Sequence, residues 1–195
     1  MTPSIPPIYR RLGGVTSHLV VAVIALVVIG GATRVMEAGL ACPDWPLCFG
    51  TLLPGRQMNL QVFLEWFHRL DAFVVGVALL VMAIAATALR RRLPRWFPWV
   101  SVLLVLMVAL QGGLGALTVL QLLPSQVVTA HLTVALALVA LLSAVTQRLL
   151  DPAIGRPPFW WRPLSGLALV AVIAQCLLGA QMATSWAAQL SLIHI

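Results

Sequence analysis

Five long apolar runs constrain this chain more than any other feature. A bilayer's hydrocarbon core takes about 20 apolar residues of helix to cross. Backbone groups in lipid must be satisfied within the segment, so each run must be helical. The runs fall near 15–36, 62–89, 97–120, 126–147 and 163–186. The chain is 61% hydrophobic and only 9% charged, against about 25% charged in soluble domains. No soluble core could hide that surface, so the expected fold is all-α, a polytopic membrane helical bundle.

The net charge of +7 raises the question of nucleic acid. All the basic side chains are Arg, however, and they gather between the apolar runs. Arg10 and Arg11 precede the first run. Arg90, Arg91, Arg92 and Arg95 separate the second and third, and Arg148, Arg156 and Arg162 the fourth and fifth. This is the pattern of cytoplasmic loops, not of a nucleic-acid surface. It sets the N-terminus inside and the loop Glu37–Gln61 outside. Pro94 and Pro98 in one inner loop, and Pro152, Pro157 and Pro158 in the other, read as helix terminators. The first run is too long for a cleaved signal and has no small-residue cleavage site after it.

The chemistry centres on Glu65-Trp66-Phe67-His68-Arg69, at the outer end of the second run. Ionisable groups inside a span are expensive and mark function by default. On a helix Glu65 and His68 share a face. His131 enters the fourth run from the same side, at similar depth. Two imidazoles at one depth on different helices suit axial ligation of a membrane haem. Each alone would read as a packing or hydrogen-bonding residue. His18 lies at the inner end of the first run and reads as interfacial. Glu65 has three readings: a helix N-terminal acid, an ion-pair partner of Arg69, or a proton carrier beside a bound ligand. Arg69 could instead meet a haem propionate. Asp71, deeper in the span, must face polar neighbours or a cavity.

Cys42 and Cys48 flank Pro43-Asp44-Trp45-Pro46-Leu47 in the outer loop. An oxidising outside favours a disulfide. It would be a structural staple or, as a small exposed ring, a reducible redox pair. Cys176 reads as a packing residue. Gln111-Gly-Gly-Leu-Gly-Ala116 in the third run is echoed by Gln175-Cys-Leu-Leu-Gly-Ala180 in the fifth, and more loosely by Ile29-Gly-Gly-Ala32 in the first. Small residues at one depth let helices or a flat ligand approach closely. The recurrence suggests a duplicated architecture.

Gly39-Leu-Ala-Cys-Pro-Asp-Trp-Pro-Leu-Cys-Phe-Gly50, followed by Glu65-Trp-Phe-His-Arg69, closely resembles the first half of haem A synthase, in its cysteine-containing subgroup. Gln111–Thr118 and Thr129-Ala-His-Leu132 are similar to that family's third and fourth spans. The resemblance covers nearly the whole chain to about residue 188 and implies eight spans in two four-helix halves, each with a His pair on its second and fourth helices. It implies oxidation of a haem O methyl group to a formyl group, giving haem A for cytochrome oxidase. Haem b is the implied cofactor and haem O the substrate. It implies that His68 and His131 ligate haem iron, that Glu65 is the catalytic acid, and that Cys42 and Cys48 relay redox equivalents.

On this resemblance residues 1–14 form a cytoplasmic tail and 15–148 a four-helix haem-binding half. Residues 149–189 are an inner loop and fifth span that start a truncated second half, and 190–195 read as a foreign tail. His194 stands in no matching context. The chain would then carry one haem site and need a second copy for turnover. Haem O synthase, cytochrome oxidase assembly proteins and membrane lipid are the expected partners, in the cell's inner (plasma) membrane. Two other readings stay open: a bis-His cytochrome b, in which Glu65 and the thiols are idle, and a quinone-linked thiol oxidoreductase, in which the histidines are incidental.

Overall fold

The computed structural model describes residues 5–151 and 158–193. Arg156, Pro152, Pro157 and His194 lie outside them. The described residues form five α-helices, α1 Pro7–Val35, α2 Leu60–Ala88, α3 Trp96–Leu120, α4 Ser125–Leu150 and α5 Trp161–Ile193, with a short 3-10 turn at Gly55–Gln57. All five are long and apolar enough to cross a membrane. Among the described residues the only β-pairing is an isolated bridge between Cys48 and Thr51.

The helix ends differ from the sequence expectation for physical reasons. α1 starts at Pro7 rather than near residue 15 and so carries Arg10 and Arg11. Proline at a first helical position costs no hydrogen bond and presets φ. Ile8, Tyr9 and Leu12 then pack on the core, which favours the extra turns. Pro98 does not end a helix but lies in the first turn of α3, where the missing N–H has no intrahelical partner anyway. Asn59 caps α2, its side chain accepting from Val62 N at 2.9 Å. The backbone of α5 continues through Leu190 to Ile193.

α1 packs on α2 and α4, and α3 packs on the same two, so α2 and α4 stand on a diagonal; α5 lies outside against α4. The main core joins Leu19 and Val23 of α1, Val75, Leu79, Met82 and Ala86 of α2, Phe97 and Leu104 of α3, and Leu138, Leu142, Val145 and Leu149 of α4. All of these lie toward the end of the bundle that carries the connection 89–95. The core stops at Val75 and Leu138, each about two helical turns below a histidine. Arg148 lies over the Trp96 ring at 5.2 Å, a cation–π contact between the end of α4 and the start of α3.

Candidate functional site: a histidine pair beneath a disulfide loop

His68 on α2 and His131 on α4 occupy the half of the bundle nearer the loop 36–59, beyond the core. Their helices stand on a diagonal of the bundle, each packed on both α1 and α3. Each ring turns its Cε1 edge toward a glycine of a flanking helix. A Cβ on Gly30 of α1 would come within 3.0 Å of the His68 Cε1 atom. One on Gly115 of α3 would come within 3.5 Å of the His131 Cε1 atom. The backbone carbonyl of Leu26, four residues before Gly30, stands beside the His68 ring; that of Gln111, four before Gly115, stands beside the His131 ring. Both Nδ1 atoms are buried without a hydrogen-bond partner, as is the Gln111 Oε1 atom. Buried polar atoms are rarely left so without reason.

The helix ends around these glycines match. Thr33 donates its hydroxyl to the Gly30 carbonyl at 2.7 Å, and Thr118 to the Gly115 carbonyl at 2.7 Å. The chain then leaves α1 through left-handed Glu37 and α3 through left-handed Leu122 and Leu123. Ala38 N bonds the Thr33 carbonyl at 2.7 Å, and Leu123 N bonds the Thr118 carbonyl at 2.7 Å. This Gly-x-x-Thr correspondence was present in the sequence and is the signal that a search for glycine pairs alone overlooks.

Above His68 sits the loop of residues 36–59. Cys42 and Cys48 form a disulfide. Contrary to the expectation of an exposed ring, both cysteines are buried, packed with Val62 and flanked by Ala41, Met58 and Trp66. The loop owes its shape to polar contacts. The Asp44 carboxylate accepts from Phe49 N and Gly50 N, both at 2.7 Å. The Gly50 N–H chiefly, then those of Phe49 and Asp44 and the Arg69 charge, hold this carboxyl below its ordinary pKa against an opposing effect of burial.

α2 grips the loop along its first turns. Gln61 Nε2 donates to the Met36 carbonyl at 3.1 Å, and Trp66 Nε1 to the Leu52 carbonyl at 2.6 Å. Glu65 Oε2 accepts from Cys42 N at 2.8 Å, while Oε1 pairs with Arg69. Arg69 Nη1 donates to the carbonyls of Asp44 at 2.6 Å and Leu47 at 2.5 Å, and Nη2 to the Cys42 carbonyl at 3.3 Å and to Glu65. The four N–H bonds of its terminal nitrogens are thus all engaged by the loop and Glu65. Of the readings of Glu65, the ion pair is realised; the residue lies beyond the first turn of α2, which holds no acid.

The other singled-out residues stand apart. His18 is exposed, its Nδ1 2.7 Å from the Gly14 carbonyl. Asp71 is half-buried on α2, with no hydrogen bond among the described residues. Cys176 is free and half-buried.

A family model described as cytochrome oxidase assembly protein (COX15-CtaA) matches residues 15–191. The chain belongs to the COX15-CtaA family. Within it, the haem A synthase of Shewanella oneidensis is 32% identical over 183 residues, covering 84% of this chain and 54% of that one. The haem A synthase of a Chelativorans species is 34% identical over 136 residues, covering 65% and 37%. A protoheme IX farnesyltransferase of Haloarcula marismortui is 40% identical over 81 residues, covering 42% of this chain and 16% of that one. The chain therefore spans about half the length, or less, of the curated relatives it matches. No solved structure matches it. The COX15-CtaA chain is an all-helical, multi-pass membrane protein with a disulfide-closed loop.

Proposed function

We propose that this COX15-CtaA chain is the haem-binding half of a haem A synthase, an oxidoreductase that converts a methyl group of haem O to a formyl group. The observation that carries this is the matched pair His68 and His131, at one depth on diagonal helices. Each ring lies against a glycine, with a buried, unpartnered Nδ1. These residues fit a haem. Two imidazoles on diagonal helices would supply nitrogen ligands for its iron, and the missing Cβ atoms of Gly30 and Gly115 make room for the rings. The carbonyls of Leu26 and Gln111 are the groups that would accept from Nδ1–H and so leave Nε2 as the ligating nitrogen.

Bound there, haem supplies the one-electron and oxygen chemistry that side chains lack. His68 and His131 would hold haem b. Glu65, one turn from His68, would hold or pass a proton at its carboxylate. Arg69 would neutralise that carboxylate or a propionate. The Cys42–Cys48 pair would accept or deliver two reducing equivalents. The relatives named haem A synthase support haem O as substrate, and the farnesyltransferase relative supports a shared haem chemistry. Haem O synthase, cytochrome oxidase assembly proteins and a second copy of this chain are the proposed partners, with membrane lipid around them. Residues 15–148 form the proposed haem-binding unit, and 149–189 the start of a second one. The arginine distribution supports an inner-membrane location with the disulfide loop outside.

The test is an optical spectrum of the detergent-purified chain, oxidised and reduced, beside His68→Ala and His131→Ala. A low-spin haem signal lost in both variants is expected. A folded wild type that takes up no haem, or a signal that survives both substitutions, would sink the reading.

A further inference from the structure

Arg69 occupies an unusual position. Its guanidinium enters a ring of carbonyls, those of Cys42, Asp44 and Leu47. All three belong to the seven-residue segment that the disulfide closes. The same arginine pairs with Glu65, whose other oxygen takes the Cys42 N–H. The amide and carbonyl of one half-cystine are therefore bound to the acid and the arginine, one turn apart on the helix that carries His68.

We propose that Arg69 is a positioning residue that couples the oxidation state of Cys42–Cys48 to Glu65. A guanidinium fork binds several carbonyls only where they converge, and the disulfide holds these three convergent. While it is closed, Glu65 is parked on both oxygens and the sulfurs are buried. Reduction breaks the Sγ–Sγ bond. A dithiol supplies two electrons and two protons, two cysteine thiols form, and the dithiol closes to its own disulfide. The carbonyl ring then opens, Arg69 loses its seat, and Glu65 is released beside His68. This deepens the reading of Glu65 and the thiols given above. Its test needs neither haem nor turnover, so the two fail separately.

The test treats the purified full chain with dithiothreitol and follows two labels: a maleimide polymer on freed thiols, and a carbodiimide on Glu65, read by mass spectrometry. In the wild type, Glu65 labelling should be slow while the disulfide is closed and rise on reduction. In Arg69→Gln the disulfide should reduce about tenfold faster, because charge-assisted hydrogen bonds are lost. Glu65 should label even in the oxidised state. Arg69→Lys, a single ammonium that cannot fork across the ring, should fall between. Equal Glu65 labelling before and after reduction of the wild type overturns the coupling, even if the variants do not fold. Reduction of Arg69→Gln at the wild-type rate overturns the role of Arg69.

Discussion

The two arms that present the histidines begin alike and end differently. α1 and α3 share the Gly-x-x-Thr turn, the hydroxyl bond back to the glycine carbonyl and the left-handed exit. After α1 comes a loop from 36 to 59, knotted by a disulfide, an aspartate and an arginine; after α3 comes only the short turn 121–124. The histidine cradle is thus made twice by local backbone means, and the acid, the arginine and the thiols are added on one arm only. Under the proposed function, symmetric ligation by the histidines would coexist with one-sided proton and electron handling. The positions are also unequal in tightness: Gly30 leaves His68 less room than Gly115 leaves His131.

Removing the cross-link from the knotted arm should have the largest effect. Cys42→Ser with Cys48→Ser should cost about 2 kcal/mol for so short a ring. Heat unfolding in detergent should show a lower Tm, with faster amide exchange in residues 36–59 and little change in 121–124. Equal exchange in both connections would break the contrast.

The glycines come next. Gly30→Ala must displace the His68 ring, a cost of about 1–3 kcal/mol set against about 1 kcal/mol gained in helix propensity. Gly115→Ala makes an ordinary contact and keeps the gain. Thermal unfolding should therefore separate them, the first neutral to destabilised and the second neutral to stabilised. Identical responses would mean that the two cradles are equivalent after all.

Trp66→Phe removes one donor to the Leu52 carbonyl and should cost about 1 kcal/mol. It should be visible as proteolytic loosening near Leu52 with the disulfide intact.

The smallest effect concerns Asp44. Its carboxyl has a lowered pKa in the folded loop, so its stabilisation is complete above the ordinary aspartate range and is lost as pH falls through the lowered value. Loop protection from exchange should persist at mildly acidic pH and fail only below the ordinary aspartate range. Asp44→Asn should flatten that acid limb. An unchanged limb in the variant would assign the loss to another group.

Much of this was legible in the chain. Apolar length alone dictated five helices, because lipid leaves a spanning backbone no other way to satisfy its polar groups. The depth of His68 and His131 follows from counting residues into their spans. The spacing of Glu65 and Arg69 dictated that they could pair, since a helix brings i and i+4 together.

Other features depended on the tertiary structure. Counting could not tell that α2 and α4 are diagonal, each packed on α1 and α3, which decides which helices the two imidazoles meet. Nor could it tell that the half-cystines are buried, because Cys42 and Cys48 are hidden by Val62 and Trp66, residues distant in sequence. The seat of Arg69 was the least legible. Three carbonyls carry no side-chain signal, and only the closed loop makes them converge on one guanidinium. Sequence determined which groups lie at the same end of the bundle, through period and length. The fold decided which of them are free and which are held, because hydrogen bonds between loop and helix depend on where the backbone returns.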